Sequence, residues 1–342
     1  MSAPQAERSE ANPLGRLALA RSTVDRATHL RGDTARVAAA WADPRTRVLV
    51  VRDSSALVRA NGNQPELVFV SPGEAPDGTR FLLGVDEGDV VYFGVSGAGG
   101  DGPARSDEKN VKPMTLRQVG AVLSDRDAGL LTHAVALANW HDTHTHCPRC
   151  GTPTVPAPAG HLTTCPADGT EHFPRLDPAV IMLVTDPDER CLLGRNALWP
   201  KGRMSVLAGF VEPGESAEHA VAREVFEETA ITVGQIRYLG SQPWPMPRSL
   251  MLGFQAVAEP GQRIVTDDEE IAEARWFSRA ELRASIDAGE LGIAPTSSIA
   301  RRLIEFWYGG DLPDGPAAWG AGGAWGAGGA GGVGGARAAP PR

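Results

Sequence analysis

Residues 209–231 read Gly209-Phe-Val-Glu-Pro-Gly-Glu215-Ser-Ala-Glu-His-Ala-Val-Ala-Arg223-Glu224-Val-Phe-Glu227-Glu228-Thr-Ala230-Ile231, and this stretch decides the fold. Gly209 and Gly214 bracket a tight loop that other backbone can approach closely. Ser216 is a good N-cap, so a helix is predicted over Ser216–Thr229. Ala217, Val221 and Val225 fall at i, i+4 and i+8 and form its buried stripe. Glu224, Glu227 and Glu228 share another face, where like charges in an exposed helix repel by roughly a few tenths of a kcal/mol per pair. A divalent cation offsets that repulsion, and carboxylate oxygens suit Mg²⁺ or Mn²⁺. Arg223 beside them can hold a carboxylate through paired hydrogen bonds.

The spacing G-x5-E-x7-R-E-U-x-E-E-x-G-U, with U aliphatic, resembles the Nudix box. Every fixed position matches except Ala230, where the family has Gly. A residue just past a helix end often takes a left-handed conformation, which costs Ala about 1–2 kcal/mol. The metal-binding glutamates are intact. Further on, Ser241-Gln-Pro-Trp-Pro-Met-Pro-Arg-Ser249 is similar to the S-Q-P-W-P-F-P-x-S motif of NADH pyrophosphatases, the NAD diphosphatase branch of that family. Its prolines rule out a regular central strand and predict a stiff loop. Met246 stands where the family has Phe. Similarity also extends through Leu116-Arg-Gln-Val119, Val206–Phe210, Glu270–Phe277 and Ser298–Ile304, about residues 115–307 in all.

The resemblance implies a mixed α/β (α+β) protein: a Nudix α/β/α sandwich, a strand-rich N-terminal domain and an intervening zinc ribbon. It implies hydrolysis of the diphosphate of NADH or NAD⁺ to NMNH or NMN and AMP, and in some members removal of an NAD cap from RNA. Glu224, Glu227, Glu228 and Glu270 would hold Mg²⁺ or Mn²⁺ with the carbonyl of Ala208, and Glu227 or Glu270 would be the general base. Arg223 would orient the glutamates and Glu215 would close the loop. Phe173 and Phe210 would sandwich a nicotinamide ring. Arg117, Gln242, Pro243, Trp244, Pro245, Met246, Pro247, Arg248, Ser249 and Ala300 would line the dinucleotide site. Family members commonly form homodimers. A Nudix hydrolase of ADP-ribose or a similar nucleoside diphosphate derivative would share the box but lack the Trp-Pro loop. A catalytically inactive zinc-ribbon and Nudix binding module would have lost one of Glu224, Glu227 or Glu228.

Cys147-Pro-Arg-Cys150, then fourteen residues, then Cys165-Pro-Ala-Asp168 is the spacing of two zinc knuckles, with Asp168 where a fourth Cys would stand. His161 and His172 are alternative fourth ligands. Cys191 lies in a predicted strand and reads as a core thiol. Four cysteines among 342 residues make no disulfide framework.

The rest of the chain organises around these motifs. Residues 1–25 carry no period and read as a disordered extension. An N-terminal domain is expected over 26–114, with strands at Val48–Val51, Leu67–Val70, Phe81–Val85 and Val90–Val95; Asn61-Gly62 signals a turn. A helical linker follows over 115–145, capped by Ser124 or Asp125 and carrying Leu130, Ala134, Leu137 and His141 on one stripe. The ribbon spans 146–175 and the Nudix domain 176–309. Within the latter, strands are expected at Ala179–Val184, Cys191–Gly194, Val206–Gly209, Ile236–Gly240, Leu250–Ala258 and Arg275–Phe277. A capping box at Ser278–Glu281 starts one helix, and Thr296 or Ser297 caps the last. Residues 310–342 are a Gly/Ala-rich tail without fold. Phe226 reads as a core residue. The net charge of −9 argues against broad phosphate neutralisation, so RNA would need a local basic patch. No apolar run matches a secretory signal or a membrane span, and a cytoplasmic protein is expected.

Overall fold

A computed structural model of the chain describes residues 13–60, 64–97, 108–266 and 269–313. These divide into two compact units, one of residues 19–176 with 243–248, the other of 13–18, 177–242 and 249–313.

The first unit begins with α1 (Thr34–Ala42), capped by Asp33, whose side chain accepts from the Arg36 N–H. Six strands follow: β1 (Arg47–Val51), β2 (Ser55–Arg59), β3 (Glu66–Leu67), β4 (Thr79–Val85), β5 (Val91–Ser96) and β6 (Val111–Thr115). They form two small sheets, β1-β5-β4 and β3-β2-β6. The predicted β4–β5 hairpin is present, because the Asp86 carboxylate accepts from Gly88 N–H at 2.9 Å, Val90 N–H at 3.0 Å and the Tyr92 hydroxyl at 2.9 Å. The strand expected over Leu67–Val70 is shorter: it ends at Leu67, and Val70 makes only an isolated bridge to Val48. Asn61-Gly62 lies outside the described residues.

A short α2 (Leu116–Val119) and a long α3 (Asp125–Thr143) come next, with Ser124 as the N-cap of α3. The stripe Leu130, Ala134, Leu137 and His141 is buried as expected. The segment is not a linker, however, since α3 packs on β1, β4 and β5 and supplies the core of this unit. The ribbon strands β7 (Val155–Pro156), β8 (Thr163–Thr164) and β9 (Glu171–His172) form a three-stranded sheet. Its connecting loop lies along β4, the last strand of its sheet: Leu82 N–H donates to Ala159 at 3.0 Å, and His161 Nε2 lies 2.7 Å from the Leu82 carbonyl oxygen. Burial pulls the His161 pKa down to about 4, so the folded state holds a neutral ring. The unfolded chain binds this proton more readily, so stability is present above the ordinary histidine pKa of about 6.5 and lost as pH falls toward 4. The thermal unfolding temperature should therefore fall between pH 7 and pH 5 in the wild type, and His161→Gln should flatten that dependence.

The second unit holds the larger sheet. Its strands are β10 (Asp177–Thr185), β11 (Cys191–Asn196), β12 (Leu207–Phe210), β13 (Val233–Trp244), β14 (Ser249–Ala258) and β15 (Ile271–Phe277). They run in the order β13-β14-β10-β11-β15, with β12 also paired to β10. The apolar run of β10 is buried on both faces, because helices cover each side. On one face Val180, Met182, Val184 and Phe254 pack with Ala220, Val221 and Val225 of α4 (Ala217–Thr229). On the other, Ile299 of α6 (Ile299–Tyr308) sits over Gly253, where a Cβ would lie 3.0 Å from its Cδ1. α5 (Arg279–Asp287) starts at the predicted capping box and packs on β15. The expected α/β/α sandwich is therefore present. Cys191 is fully buried, which raises its thiol pKa strongly, in keeping with a core thiol.

Several boundaries differ from the sequence reading. Residues 13–25 are not an extension: Leu14, Leu17, Leu19 and Val24 are buried. Residues 1–12 lie outside the described residues. The last helix is capped by Ser298, not by Thr296 or Ser297, through the Ala300 N–H. β13 runs on through Gln242-Pro243-Trp244; the prolines are tolerated because β13 is the last strand in the sheet order. Leu312, placed in the tail by composition, is buried, and its carbonyl accepts from Arg301. Residues 314–342 lie outside the described residues.

Ala230 adopts φ 56° and ψ 20° at the C-cap of α4, the left-handed conformation expected there. Ala230→Gly should stabilise the protein by about 1 kcal/mol in urea unfolding, since Gly enters this region without a Cβ clash.

Candidate active site

Three of the catalytic candidates converge on Arg223, in the second turn of α4. Its Nε donates to Glu215 Oε1 at 2.8 Å and its Nη2 to Glu215 Oε2 at 2.9 Å, a paired clamp. Nη2 also donates to the Phe210 carbonyl at 2.8 Å. Nη1 donates to Glu224 Oε1 and to Glu227 Oε2, both at 2.9 Å. One guanidinium thus ties the end of β12, the loop before α4 and two helix carboxylates together. Hydrogen bonding, first to Glu215, raises the Arg223 pKa, and Arg223 in turn lowers that of Glu215. Glu215 also accepts from Glu212 N–H at 3.0 Å, which closes the loop as expected.

Glu224 and Glu228 are 8% and 5% exposed, whereas the Glu227 side chain is 56% exposed. Helix geometry explains the split: i and i+4 face the sheet, and i+3 lies toward the rim. Glu224 lies directly over Gly209, where an added Cβ would come within 1.7 Å of its Cδ. Only glycine leaves room for that carboxylate. Burial pushes the Glu224 pKa above its ordinary value, against the pull of Arg223, and Glu227 and Glu270 add repulsion. Glu270 is thus electrostatically coupled to Glu224; Asp267 and Asp268 lie outside the described residues. Ala208 sits in β12 opposite Ile181. Three glutamates on one arginine leave an excess of negative charge in a half-buried site. That oxygen-rich donor set suits a hard divalent cation such as Mg²⁺ or Mn²⁺.

The remaining substrate candidates are divided between the two units. Phe210, Gln242, Ser249 and Ala300 belong to the larger-sheet unit. There Gln242 is fully buried and its Nε2 donates to the Ser297 carbonyl at 3.1 Å, and Ala300 is 3% exposed. Arg117, Phe173, Pro243, Trp244, Pro245, Met246, Pro247 and Arg248 belong to the first unit. Phe173 is 64% exposed, and the Arg117 guanidinium lies 5.1 Å from the Trp244 ring centroid. Phe226, read as a core residue, is instead 56% exposed. It follows Val225 by one residue, about 100° around the helix from the buried stripe.

The ribbon brings Cys147, Cys150, Cys165 and Asp168 together, with one ligand atom from each within 4.8 Å of all the others. Two hexapeptides build it, Cys147-Pro-Arg-Cys150-Gly-Thr152 and Cys165-Pro-Ala-Asp168-Gly-Thr170. They fold alike: Cys147 N–H donates to Thr152 at 2.8 Å and Cys165 N–H to Thr170 at 2.9 Å. Gly151 and Gly169 both have φ 73°. Asp168 therefore occupies the place that Cys150 holds in the first knuckle. The Thr170 N–H bond is the largest cause holding the Asp168 carboxyl down at about 2, so it is an anionic ligand at neutral pH. His161 is engaged with Leu82, and neither it nor His172 belongs to the cluster. Three sulfurs and one oxygen at this spacing fit tetrahedral Zn²⁺. Elemental analysis should find about one zinc per chain. Asp168→Ala should shed zinc to EDTA faster than the wild type and Asp168→Cys more slowly; zinc-free wild-type protein would refute the site.

Comparison with known proteins gives three family matches. A NUDIX domain model matches residues 175–296, an NADH pyrophosphatase zinc ribbon domain matches 142–173, and an NADH pyrophosphatase-like rudimentary NUDIX domain matches 45–140. The last includes most of α3, in agreement with its packing. The chain is 42% identical over 297 residues to the NAD-capped RNA hydrolase NudC of Mycobacterium bovis, covering 84% of this chain and 94% of that protein. It is 40% identical over 197 residues to the human NAD-capped RNA hydrolase NUDT12, covering 54% of this chain and 42% of that protein. A solved NUDIX hydrolase from Nitrosomonas europaea is 22% identical and covers 49% of this chain and 95% of its own, with a TM-score of 0.37. Among the described residues, no helix is long and apolar enough to cross a membrane.

Proposed function

Because the chain belongs to the NADH pyrophosphatase family of Nudix hydrolases, we propose that it hydrolyses the diphosphate of NADH and NAD⁺ to NMNH or NMN and AMP, and the same bond in NAD-capped RNA. Water adds across the P–O–P linkage: one P–O bond forms, one breaks, and each phosphate leaves as a monoester. The observation that carries this reading is the Arg223 hub, which holds Glu215, Glu224 and Glu227 in one constellation beside buried Glu228.

Glu224, Glu228 and Glu270, with the Ala208 carbonyl, are the residues that would hold Mg²⁺ or Mn²⁺. Such ions neutralise diphosphate charge and acidify water. Arg223 keeps the glutamates from turning away, and its bond to Phe210 fixes the strand end on which Ala208 lies. Glu227, on the exposed rim, or Glu270 would accept the proton of the attacking water. Trp244 offers a ring for base stacking, and stacking contributes about 0.5–1.5 kcal/mol beyond buried area.

The direct test incubates the pure protein and Mn²⁺ with NADH, NAD⁺, NAD-capped RNA and ADP-ribose in parallel. AMP and NMNH from NADH are expected. Turnover of ADP-ribose alone would assign another Nudix substrate, and no product from any of the four would sink the reading. We also propose a homodimer, supported by the exposure of Phe226 and Tyr238 in the catalytic unit, which light scattering would check. Cytoplasmic residence is supported by three ribbon thiols that must stay reduced to bind metal.

A further inference from the structure

The loop bearing Trp244 is held by a residue outside every motif discussed so far. Asn139 lies on α3, and its Nδ2 donates to the Pro245 carbonyl at 2.7 Å and to the Pro247 carbonyl at 3.3 Å. Its Oδ1 accepts from the Ser54 hydroxyl at 3.2 Å. The two carbonyls can only accept, so they fix the Nδ2 side of the amide toward the loop and leave Oδ1 to receive the Ser54 hydroxyl. Ser54 is itself fixed, in the turn between β1 and β2, where Asp53 and Ser54 have φ 49° and 58° and the Ser54 carbonyl accepts from Leu116 N–H. The prolines cannot donate hydrogen bonds of their own. Their carbonyls can accept from an outside donor, and one side-chain amide supplies both hydrogens. Between them Met246 N–H donates to the Trp244 carbonyl at 2.7 Å, which closes the loop. Arg117 covers the Trp244 ring from the same unit.

We propose that Asn139 is a positioning residue that sets the Trp-Pro loop for base recognition, with Ser54 setting Asn139. The proposal rests on the dinucleotide reading above for its kinetic part only. A pre-shaped loop binds without first ordering, so the loss of the clamp raises KM and leaves the bond-breaking step alone.

Asn139→Ala should raise the KM for NADH about tenfold, with kcat within about twofold of wild type. Ser54→Ala should raise KM about threefold. Asn139→Asp presents a carboxylate to two carbonyl oxygens at pH 8. Protonation restores one donor, so its KM should approach that of the wild type as pH falls to 5. A merely structural role would not give that recovery. Independently of substrate, hydrogen exchange at Met246 should speed up in Asn139→Ala and less so in Ser54→Ala. Unchanged KM and unchanged exchange would overturn the proposal, as would a fall in kcat at constant KM. If Asn139→Ala does not fold, the same outcomes are read from Ser54→Ala. A wild-type protein inert toward NADH would sink the functional reading, and the exchange measurement would still decide the clamp.

Discussion

Glu224→Gln should lower turnover of NADH by about a thousandfold, the range found when one preorganised electrostatic partner is removed from a reaction centre. The substitution keeps the volume of the side chain above Gly209, so the loop before α4 is not disturbed. It removes a buried negative charge from the face that would hold the cation. It also replaces the oxygen that accepts from Arg223 Nη1 with an amide, which can satisfy Arg223 with its carbonyl only by turning its NH₂ toward the metal position. Glu227→Gln is the informative companion. Glu227 is exposed and lies on the rim, so a comparable loss there would identify it as the base, whereas a small loss would shift that role to Glu270. Steady-state rates with Mn²⁺ at saturating NADH measure both. A loss of less than tenfold for Glu224→Gln would remove it from the metal site.

Arg223→Lys should reduce turnover by about a hundredfold and destabilise the fold by about 2–3 kcal/mol, although the charge is unchanged. The guanidinium reaches Glu215, Glu224, Glu227 and the Phe210 carbonyl in four directions from one plane. An ammonium has a single nitrogen and cannot span them. Glu215 would lose its clamp, and the Glu212–Glu215 turn would keep only its own bonds. Urea unfolding and kinetics together check the prediction. A stability loss without a rate loss would show that the hub only holds the loop.

The catalytic half was legible because its local signals agree. Ser216 caps, and Val221 and Val225 are buried with Ala217 partly so, whereas Glu227, expected to share a face with Glu224 and Glu228, lies at the rim. Phe226 was misjudged by reading its apolarity without its phase on the helix. The cap of the last helix was ambiguous because Thr296, Ser297 and Ser298 are all competent caps, and only packing chose among them. The role of α3 was hidden for a different reason: a stripe of apolar residues says that a face is covered but not by what. The Asn139 clamp had no signal at all, since it joins positions 139 and 245 through one side-chain amide. The repeat Cys-Pro-x-Cys/Asp-Gly-Thr lies in the sequence and favours Asp168, but the knuckle spacing alone left His161 and His172 open.

That repeat also governs how the ribbon ages. A ribbon with four thiols can exchange its ion for two covalent crosslinks and keep its shape under oxidation. This one holds an odd number of thiols. An oxidant that couples Cys150 to Cys165, whose sulfurs lie 3.5 Å apart, takes two ligands at once and leaves Cys147 alone with a carboxylate. The ion then departs, and recovery needs both a reductant and fresh zinc. Peroxide treatment should therefore release the metal in step with the loss of two thiols per chain.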